Sequence, residues 1–132
     1  MKTATLLLSI SLLLGFVLGC QNPNVPDYDI ASIAGDYSGT YYSFSLSGGD
    51  TGTIDLTINT NGIITGNSAS TVTGAGIISG TVDQFGIIEF TSVLISGDTL
   101  SFTLGVGANG AIVGSWTNLQ TNDSGQYGLY SL

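Results

Sequence analysis

The residues that could do acid–base or metal chemistry in this sequence are almost all carboxylates. The chain of 132 residues has nine Asp or Glu, one Cys, no His and a single Lys or Arg, which is Lys2. A catalytic site would therefore need carboxylates that converge in one cleft. Asp55 and Glu89 alternate with apolar residues, so both are predicted to point to solvent. The remaining acids after residue 35 are predicted in turns (Asp50, Asp98), at a strand end (Asp83) or are left unplaced (Asp36, Asp123).

The missing residue types exclude several classes of function. Beyond Lys2 the chain has no basic residue, so it lacks the patch that would neutralise phosphates, and binding of nucleic acid is not expected. Schiff-base lysines and histidine bases are also unavailable. Residues 49–52 and 122–125 carry oxygen atoms suited to calcium, but such clusters are more typical of turns. The sequence therefore predicts no enzyme, no cofactor and no metal site.

Residues 1–19 have the pattern of a secretory signal peptide. Lys2 gives a positive start, and the apolar run over residues 6–18 is shorter than the roughly 20 residues of a membrane span. The run ends in Val17-Leu18-Gly19-Cys20, which resembles the lipobox of bacterial lipoproteins. This resemblance implies that Cys20 is lipidated, becomes the first mature residue and holds the protein on a membrane. The alternatives are an ordinary signal peptide and an uncleaved anchor helix.

Residues 20–33 are predicted to be the lipidated cysteine followed by an extended tether. Both prolines of the chain, Pro23 and Pro26, lie here among polar residues typical of linkers. In enteric lipoproteins an Asp after the cysteine means retention in the inner membrane, and this chain has Gln21. The resemblance therefore favours the outer membrane in a Gram-negative host, and it leaves open which side of the envelope the domain faces.

Residues 34–132 are predicted to be one all-β domain. Apolar and polar residues alternate over residues 54–58, and Tyr42, Phe44 and Leu46 are expected on the apolar face of the first strand. Turn signals rich in Gly, Asn and Asp divide the domain into eight strands. The predicted strands span residues 35–46, 53–59, 63–72, 77–83, 87–94, 99–104, 111–118 and 126–132.

Short strands joined by tight turns predict a small antiparallel up-and-down β-barrel of about eight strands, because closure removes exposed edges. A two-sheet β-sandwich is the alternative. Glycines within strands fit the sharp bends of a small barrel; they are Gly39, Gly66, Gly80, Gly114 and Gly128. The layout resembles lipocalin-like and avidin-like barrels and the glycine-rich barrels of some bacterial surface lipoproteins. Motifs specific to those families are missing, so the resemblance implies architecture only.

Aromatic residues gather on the first, seventh and eighth predicted strands, which barrel closure would make neighbours. One interpretation is a seam stabilised by cross-strand aromatic pairs. The other is a patch that stacks on a glycan or docks a protein. The candidate binding patch is Tyr37, Tyr41, Tyr42, Trp116, Tyr127 and Tyr130. Because Tyr41 and Tyr42 are adjacent, we expect some of these rings to face inward and others outward.

The sequence thus predicts a membrane-anchored envelope lipoprotein that acts as a non-enzymatic binding or interaction module with a protein or glycan partner. A carrier of a small apolar ligand in a barrel cavity is one alternative. A purely structural envelope lipoprotein is the other. We expect a packed core rather than an open cavity, because inward apolar side chains can fill an eight-stranded interior. The identity of the partner and the oligomeric state do not follow from the sequence.

Replacement of Cys20 by serine tests the predicted anchor. The Cys20→Ser chain should incorporate no labelled palmitate, because the thiol that would carry the lipid is gone. The measurement is palmitate labelling of the expressed protein, with the unchanged chain as reference. Labelling that persists in the variant would contradict the lipoprotein prediction.

Overall fold

The computed structural model describes residues 28–132, apart from the side chains of residues 104 and 106–108. The predicted signal peptide, Cys20 and the first part of the predicted tether lie outside the described residues. Within residues 28–132, we find no helix with the length and hydrophobicity needed to cross a membrane.

The described chain forms a closed antiparallel β-barrel of eight strands. Each strand pairs with its neighbours in sequence, and the first strand pairs with the last. The predicted fold class is therefore confirmed, and the sheet closes on itself instead of dividing into a sandwich. The strands are β1 Gly35–Ser43, β2 Thr51–Ile58, β3 Ile63–Ser70, β4 Gly74–Val82, β5 Ile88–Leu94, β6 Thr99–Ala108, β7 Ala111–Asn118 and β8 Ser124–Ser131.

The up-and-down topology sorts the connections between two ends of the barrel. The end where the chain enters, here called the entry end, holds residues 59–62, 83–87 and 109–110. The opposite end, here called the far end, holds residues 44–50, 71–73, 95–98 and 119–123. Connections that are distant in sequence therefore meet at one end.

Two entry-end turns are built alike. Asn59 accepts hydrogen bonds at its Oδ1 from the amides of Asn61 and Ile63, both at 2.9 Å. Asp83 likewise accepts hydrogen bonds at its Oδ1 from the amides of Phe85 and Ile87, at 2.8 and 2.9 Å. In each turn the third residue after the acceptor is a glycine with positive φ, a conformation in which a side chain is strained. The turn predicted at Asn61-Gly62 is confirmed.

Residues 28–34 cover the entry end of the barrel. Ile30–Ser32 form a short 3₁₀ helix, and Ile33 is buried. The Tyr37 hydroxyl donates a hydrogen bond to the Ile33 carbonyl, at 2.8 Å. These residues were expected in the extended tether, but their apolar side chains pack on the barrel because burial removes them from water. Tyr28, Ile30 and Ile33 therefore pack with the core of the barrel.

Alternation places one face of each strand inside the barrel. In β2, Ile54, Leu56 and Ile58 are buried while the residues between them are exposed. Asp55 and Glu89 are exposed, as their parity predicted. The regular pattern of β2 leaves a single choice of inner face, which is why the prediction succeeds here.

The predicted apolar face of the first strand is wrong. Tyr37 and Tyr41 face the interior, whereas Tyr42, Phe44 and Leu46 are exposed. The first strand carries apolar residues at both parities, so alternation alone does not identify its inner face. In addition, β1 ends before Phe44, so the last two of these residues belong to a far-end connection.

Five aromatic rings pack together inside the barrel. The rings of Phe90 and Phe102 are stacked, with centroids 4.6 Å apart. Tyr41 meets Trp116 edge-on at 5.0 Å, and Tyr127 meets Phe102 edge-on at 5.3 Å. Such pairs contribute about 1 kcal/mol each beyond the burial of their area. This five-ring cluster fills interior space that a ligand would otherwise need.

Inward-facing glycines let the strands approach one another closely. A Cβ atom at Gly39 would overlap the carbonyl oxygen of Gly128 on β8, and one at Gly66 would overlap that of Asp55 on β2. A Cβ atom at Gly80 or Gly114 would likewise come too close to a carbonyl oxygen of the neighbouring strand. Gly128 differs, because it faces outward and a Cβ there would meet nothing nearer than Val113, at 4.0 Å.

Paired alanine substitutions test this distinction. Gly39→Ala should lower the free energy of unfolding by about 3 kcal/mol, because the added carbon forces β1 away from β8. Gly128→Ala should change it by less than about 1 kcal/mol, since the site has room. Urea unfolding followed by circular dichroism measures both. Equal losses in the two variants would contradict the difference in packing.

Candidate functional site

The structure divides the predicted binding patch into an inner and an outer group. The inner group is buried in the barrel and consists of Tyr37, Tyr41, Trp116 and Tyr127. The outer group is Tyr42 and Tyr130, whose side chains are 49% and 67% exposed. A partner outside the barrel can therefore contact only the outer group, and the six residues do not form one continuous surface.

Packing holds all four residues of the inner group, and hydrogen bonds also hold Tyr37, Tyr41 and Trp116. Among the described residues, the buried hydroxyl of Tyr127 has no hydrogen-bond partner. The Trp116 Nε1 donates to the Tyr42 carbonyl at 3.0 Å, and the Tyr41 hydroxyl donates to the Asp50 carboxylate at 3.2 Å. Burial raises the pKa of Tyr41 and of Tyr127 far above the usual value, so both hydroxyls stay protonated. These contacts agree with the interpretation of the inner rings as a stabilised closure seam.

The outer group flanks a groove of about 730 Å³ on the outside of the closure seam. Gly128 of β8 lies at its centre, paired with Thr40 on β1 and with Val113 on β7. These three paired residues form a row across the strands, with Tyr42 on one side of it and Tyr130 on the other. We call this the seam groove; its outward-facing side chains are Thr40, Tyr42, Val113, Ser115, Gln126 and Tyr130.

The seam groove combines ring faces with neutral hydrogen-bonding groups. The Tyr42 hydroxyl donates to the Gln126 Oε1 at 2.8 Å, which fixes the ring over its partner residue on β8. Tyr130 lies four residues beyond Gln126, so the two tyrosine positions are about 13 Å apart along the strand. The hydroxyls of Thr40 and Ser115 border the space between them. The residues that line the groove are all uncharged.

The sequence predicts Gly128 as one of the glycines at strand bends, whereas the structure places it in the seam groove. Its neighbours Tyr127 and Leu129 are both buried, so Gly128 faces outward. Gly39, in contrast, shares the inward parity of Tyr41. Parity within β8 is thus the signal that separates an outward glycine from an inward one.

A second concave region is a hollow of about 370 Å³ among the far-end connections. Asp50, Asp98 and Asp123 border this far-end hollow. Asp50 is buried, and its carboxylate accepts a hydrogen bond from the Ser70 hydroxyl at 2.6 Å. Its amide donates to the Asp123 carboxylate at 2.9 Å. Carboxylates from separate connections therefore meet in one network.

The two segments considered for calcium, residues 49–52 and 122–125, are brought together in that network. In the described part of the chain, however, no three acidic, histidine or cysteine side chains are grouped so that they could hold a metal ion. The two acids left unplaced by the sequence, Asp36 and Asp123, lie at opposite ends of the barrel. They do not form a converging pair.

The carboxylate of Asp123 is stabilised in its ionised form. Partial burial alone would raise its pKa, but the Asp50 amide, the Ser43 hydroxyl and the Ser124 amide donate to its two oxygens. These hydrogen bonds outweigh the burial, so the pKa lies below its usual value of 3.8.

Comparison of the chain with models of protein families, with curated proteins and with solved structures gave no match. What the protein binds must therefore be inferred from its own residues.

Replacement of Asp123 by asparagine tests the electrostatic role of this carboxylate. Folding lowers its pKa, so its contribution to stability is present above the unfolded value near 3.8 and is lost as the pH falls through the folded value. The unchanged chain should lose resistance to urea below about pH 4, and Asp123→Asn should lose less over that window. At neutral pH the variant should be less stable by about 1 kcal/mol.

Glu89→Gln is the matched control, because it removes one charge from an exposed position of β5. The Glu89→Gln variant should lose resistance to urea below about pH 4 to the same extent as the unchanged chain. An equal flattening in both variants would show that net charge, and not the network around Asp123, sets the dependence on pH.

Proposed function

We propose that this protein is a lipid-anchored component of the cell envelope and acts as a non-enzymatic binding module, with the seam groove as a site for neutral carbohydrate. The anchor is inferred from the signal-peptide pattern and Cys20, and Gln21 favours the outer membrane of a Gram-negative host. The observation that carries the binding role is the pair of exposed tyrosines, Tyr42 and Tyr130, on either side of an uncharged groove.

The chemistry of the groove matches that of a neutral sugar. Sugars present apolar C–H faces, which pack on aromatic rings, and hydroxyls, which donate and accept hydrogen bonds. The two tyrosines supply the ring faces, and Thr40, Ser115 and Gln126 supply donors and acceptors. Charged ligands are disfavoured, because they need paired charges that the lining does not offer. The spacing of about 13 Å between the tyrosine positions suits an oligosaccharide better than a single sugar.

Gly128 supports the same proposal because the fold does not require a glycine there. Its backbone has no positive φ, and a Cβ atom there would meet nothing closer than 4.0 Å. A larger residue would occupy the space between Tyr42 and Tyr130. The glycine therefore has one clear structural consequence, which is to keep the seam groove open.

The packed interior favours this role over that of a carrier. The barrel axis is occupied by the five-ring cluster and by aliphatic side chains with 0% exposure, which are Ile54, Ile64, Ile88, Leu100, Ile112 and Leu129. An apolar ligand would have to displace some of these side chains at a cost in packing. A purely structural role, in turn, gives no reason for the shape of the seam groove.

Binding of the full chain, held in detergent, to neutral polysaccharides tests the proposed function. Binding curves on immobilised glucan, mannan, galactan and xylan would compare the unchanged chain with Tyr42→Ala, Tyr130→Ala and Gly128→Thr. Each variant should bind the preferred polysaccharide about tenfold more weakly, because a ring face is lost or the groove is filled. Phe85→Ala removes an exposed aromatic ring at the entry end and should bind normally.

All of these substitutions lie on the outer surface, so circular dichroism and urea midpoints should confirm that the fold is kept. Binding that survives the three groove substitutions would place the sugar elsewhere. A stoichiometric apolar molecule found by native mass spectrometry of the purified chain would favour the carrier instead.

A further inference from the structure

The far end of the barrel exposes apolar side chains that the seam groove does not use. Each of the four far-end connections contributes at least one large apolar residue. These residues, here called the far-end rim, are Phe44, Leu46, Val72, Ile95 and Leu119, and their exposure ranges from 57% to 104%. Several large apolar side chains exposed at one end of a domain commonly mark a contact with another molecule.

The rim continues along the outside of β4 and β5 as an apolar groove of about 570 Å³. Ile77 and Val93 face each other across the two strands and are 71% and 54% exposed. Ile95, which belongs to the rim, lies next to Ala75 at the far end of this groove. The outward residues of β2, by contrast, are polar: Thr51, Thr53, Asp55 and Thr57.

The far-end rim borders the far-end hollow at Val72, and this hollow is acidic. Asp50, Asp98 and Asp123 border the hollow together with Val72 of the rim. Lys2 is the single Lys or Arg of the chain, and there is no His. The described residues therefore offer no cation to these carboxylates, and the apolar and acidic surfaces are continuous.

The far end is also open to approach. The chain enters the barrel at the opposite end, where the Tyr28 amide donates to the Gln84 carbonyl at 2.9 Å. The far-end rim therefore lies at the end of the barrel away from Tyr28.

We infer that the far-end rim, the apolar groove and the far-end hollow form one docking surface for a polypeptide segment that carries apolar side chains beside a lysine or arginine. The apolar side chains cover Ile77 and Val93, which removes exposed hydrocarbon from water. The basic side chain reaches the hollow at Asp98. Charge complementarity selects this kind of segment and orients it on the surface.

Two other occupants match the surface less well. A bilayer would have to accept the carboxylates of the hollow, and an anionic leaflet would repel them. A second copy of this chain could supply no basic side chain other than Lys2. A basic, apolar polypeptide satisfies both parts of the surface.

Model peptides test the inference. A labelled peptide of alternating leucine and lysine, and a matched peptide of alternating leucine and glutamine, would be titrated with the full chain in detergent and followed by fluorescence anisotropy. The lysine peptide should bind at least about tenfold more tightly than the glutamine peptide. Its affinity should fall as salt is raised, because screening weakens the attraction between exposed charges.

Two substitutions then locate the site. Ile77→Ser and Asp98→Asn should each weaken binding of the lysine peptide about tenfold. Asp98 is chosen because its carboxylate accepts one hydrogen bond, from the Asn118 side chain at 3.1 Å, which asparagine can also accept. Phe85→Ser and Glu89→Gln are the matched controls for lost hydrocarbon and lost charge, and both should bind like the unchanged chain.

Equal affinity for the two peptides, no binding of the lysine peptide, or substitutions that behave like their controls would each overturn the inference. Sedimentation with phosphatidylcholine vesicles, with and without phosphatidylglycerol, addresses a membrane contact. Vesicle binding or self-association that Ile77→Ser abolishes would identify a bilayer or a second copy as the occupant instead. Tyr42→Ala should bind the peptide normally. The test of this docking surface and the test of the carbohydrate site can therefore give different outcomes.

Discussion

The hydrogen-bonded pairing of β1 with β8, from Tyr37 opposite Ser131 to Ser43 opposite Gly125, closes the sheet and fixes the width of its interior. Eight strands enclose room for side chains and little more. Large aromatic rings fit in that space only where a strand residue without a side chain faces them. Gly125 illustrates this, because a Cβ there would overlap both the Tyr42 carbonyl and the Trp116 indole nitrogen that donates to it. The closure of the barrel and the packing of the aromatic rings therefore depend on each other.

Closure also creates the seam groove and the far-end hollow. The seam groove needs β7, β8 and β1 side by side, and its central row joins Val113, Gly128 and Thr40 across three strands. The far-end hollow gathers residues from four connections that are separated by up to about eighty positions in sequence. The seam groove and the far-end hollow both need a closed sheet, so both depend on the stability of the β1–β8 seam.

Much of the fold follows from local patterns, and the places where prediction fails have physical causes. Strict alternation in β2 identifies its inner face, and glycine-rich turns give the strand order, but β1 has tyrosines at both parities and only its pairing decides that Tyr41 faces inward. The outer role of Gly128 depends on parity within β8. The meeting of Asp50 with Asp123 depends on which connections share an end, which up-and-down topology implies once closure is assumed.

The chain leaves the barrel close to where it enters, because the Leu132 amide donates to the Asp36 carbonyl at 3.0 Å. The strands run from that end to the far end. A pull applied between residue 28 and the far end would act along the barrel axis, to which the strands are tilted by about 40°. Ladder hydrogen bonds lie across this direction, so those on both sides of β1 must shear together instead of opening one after another. The two ladders that flank β1 would therefore share the load of such a pull.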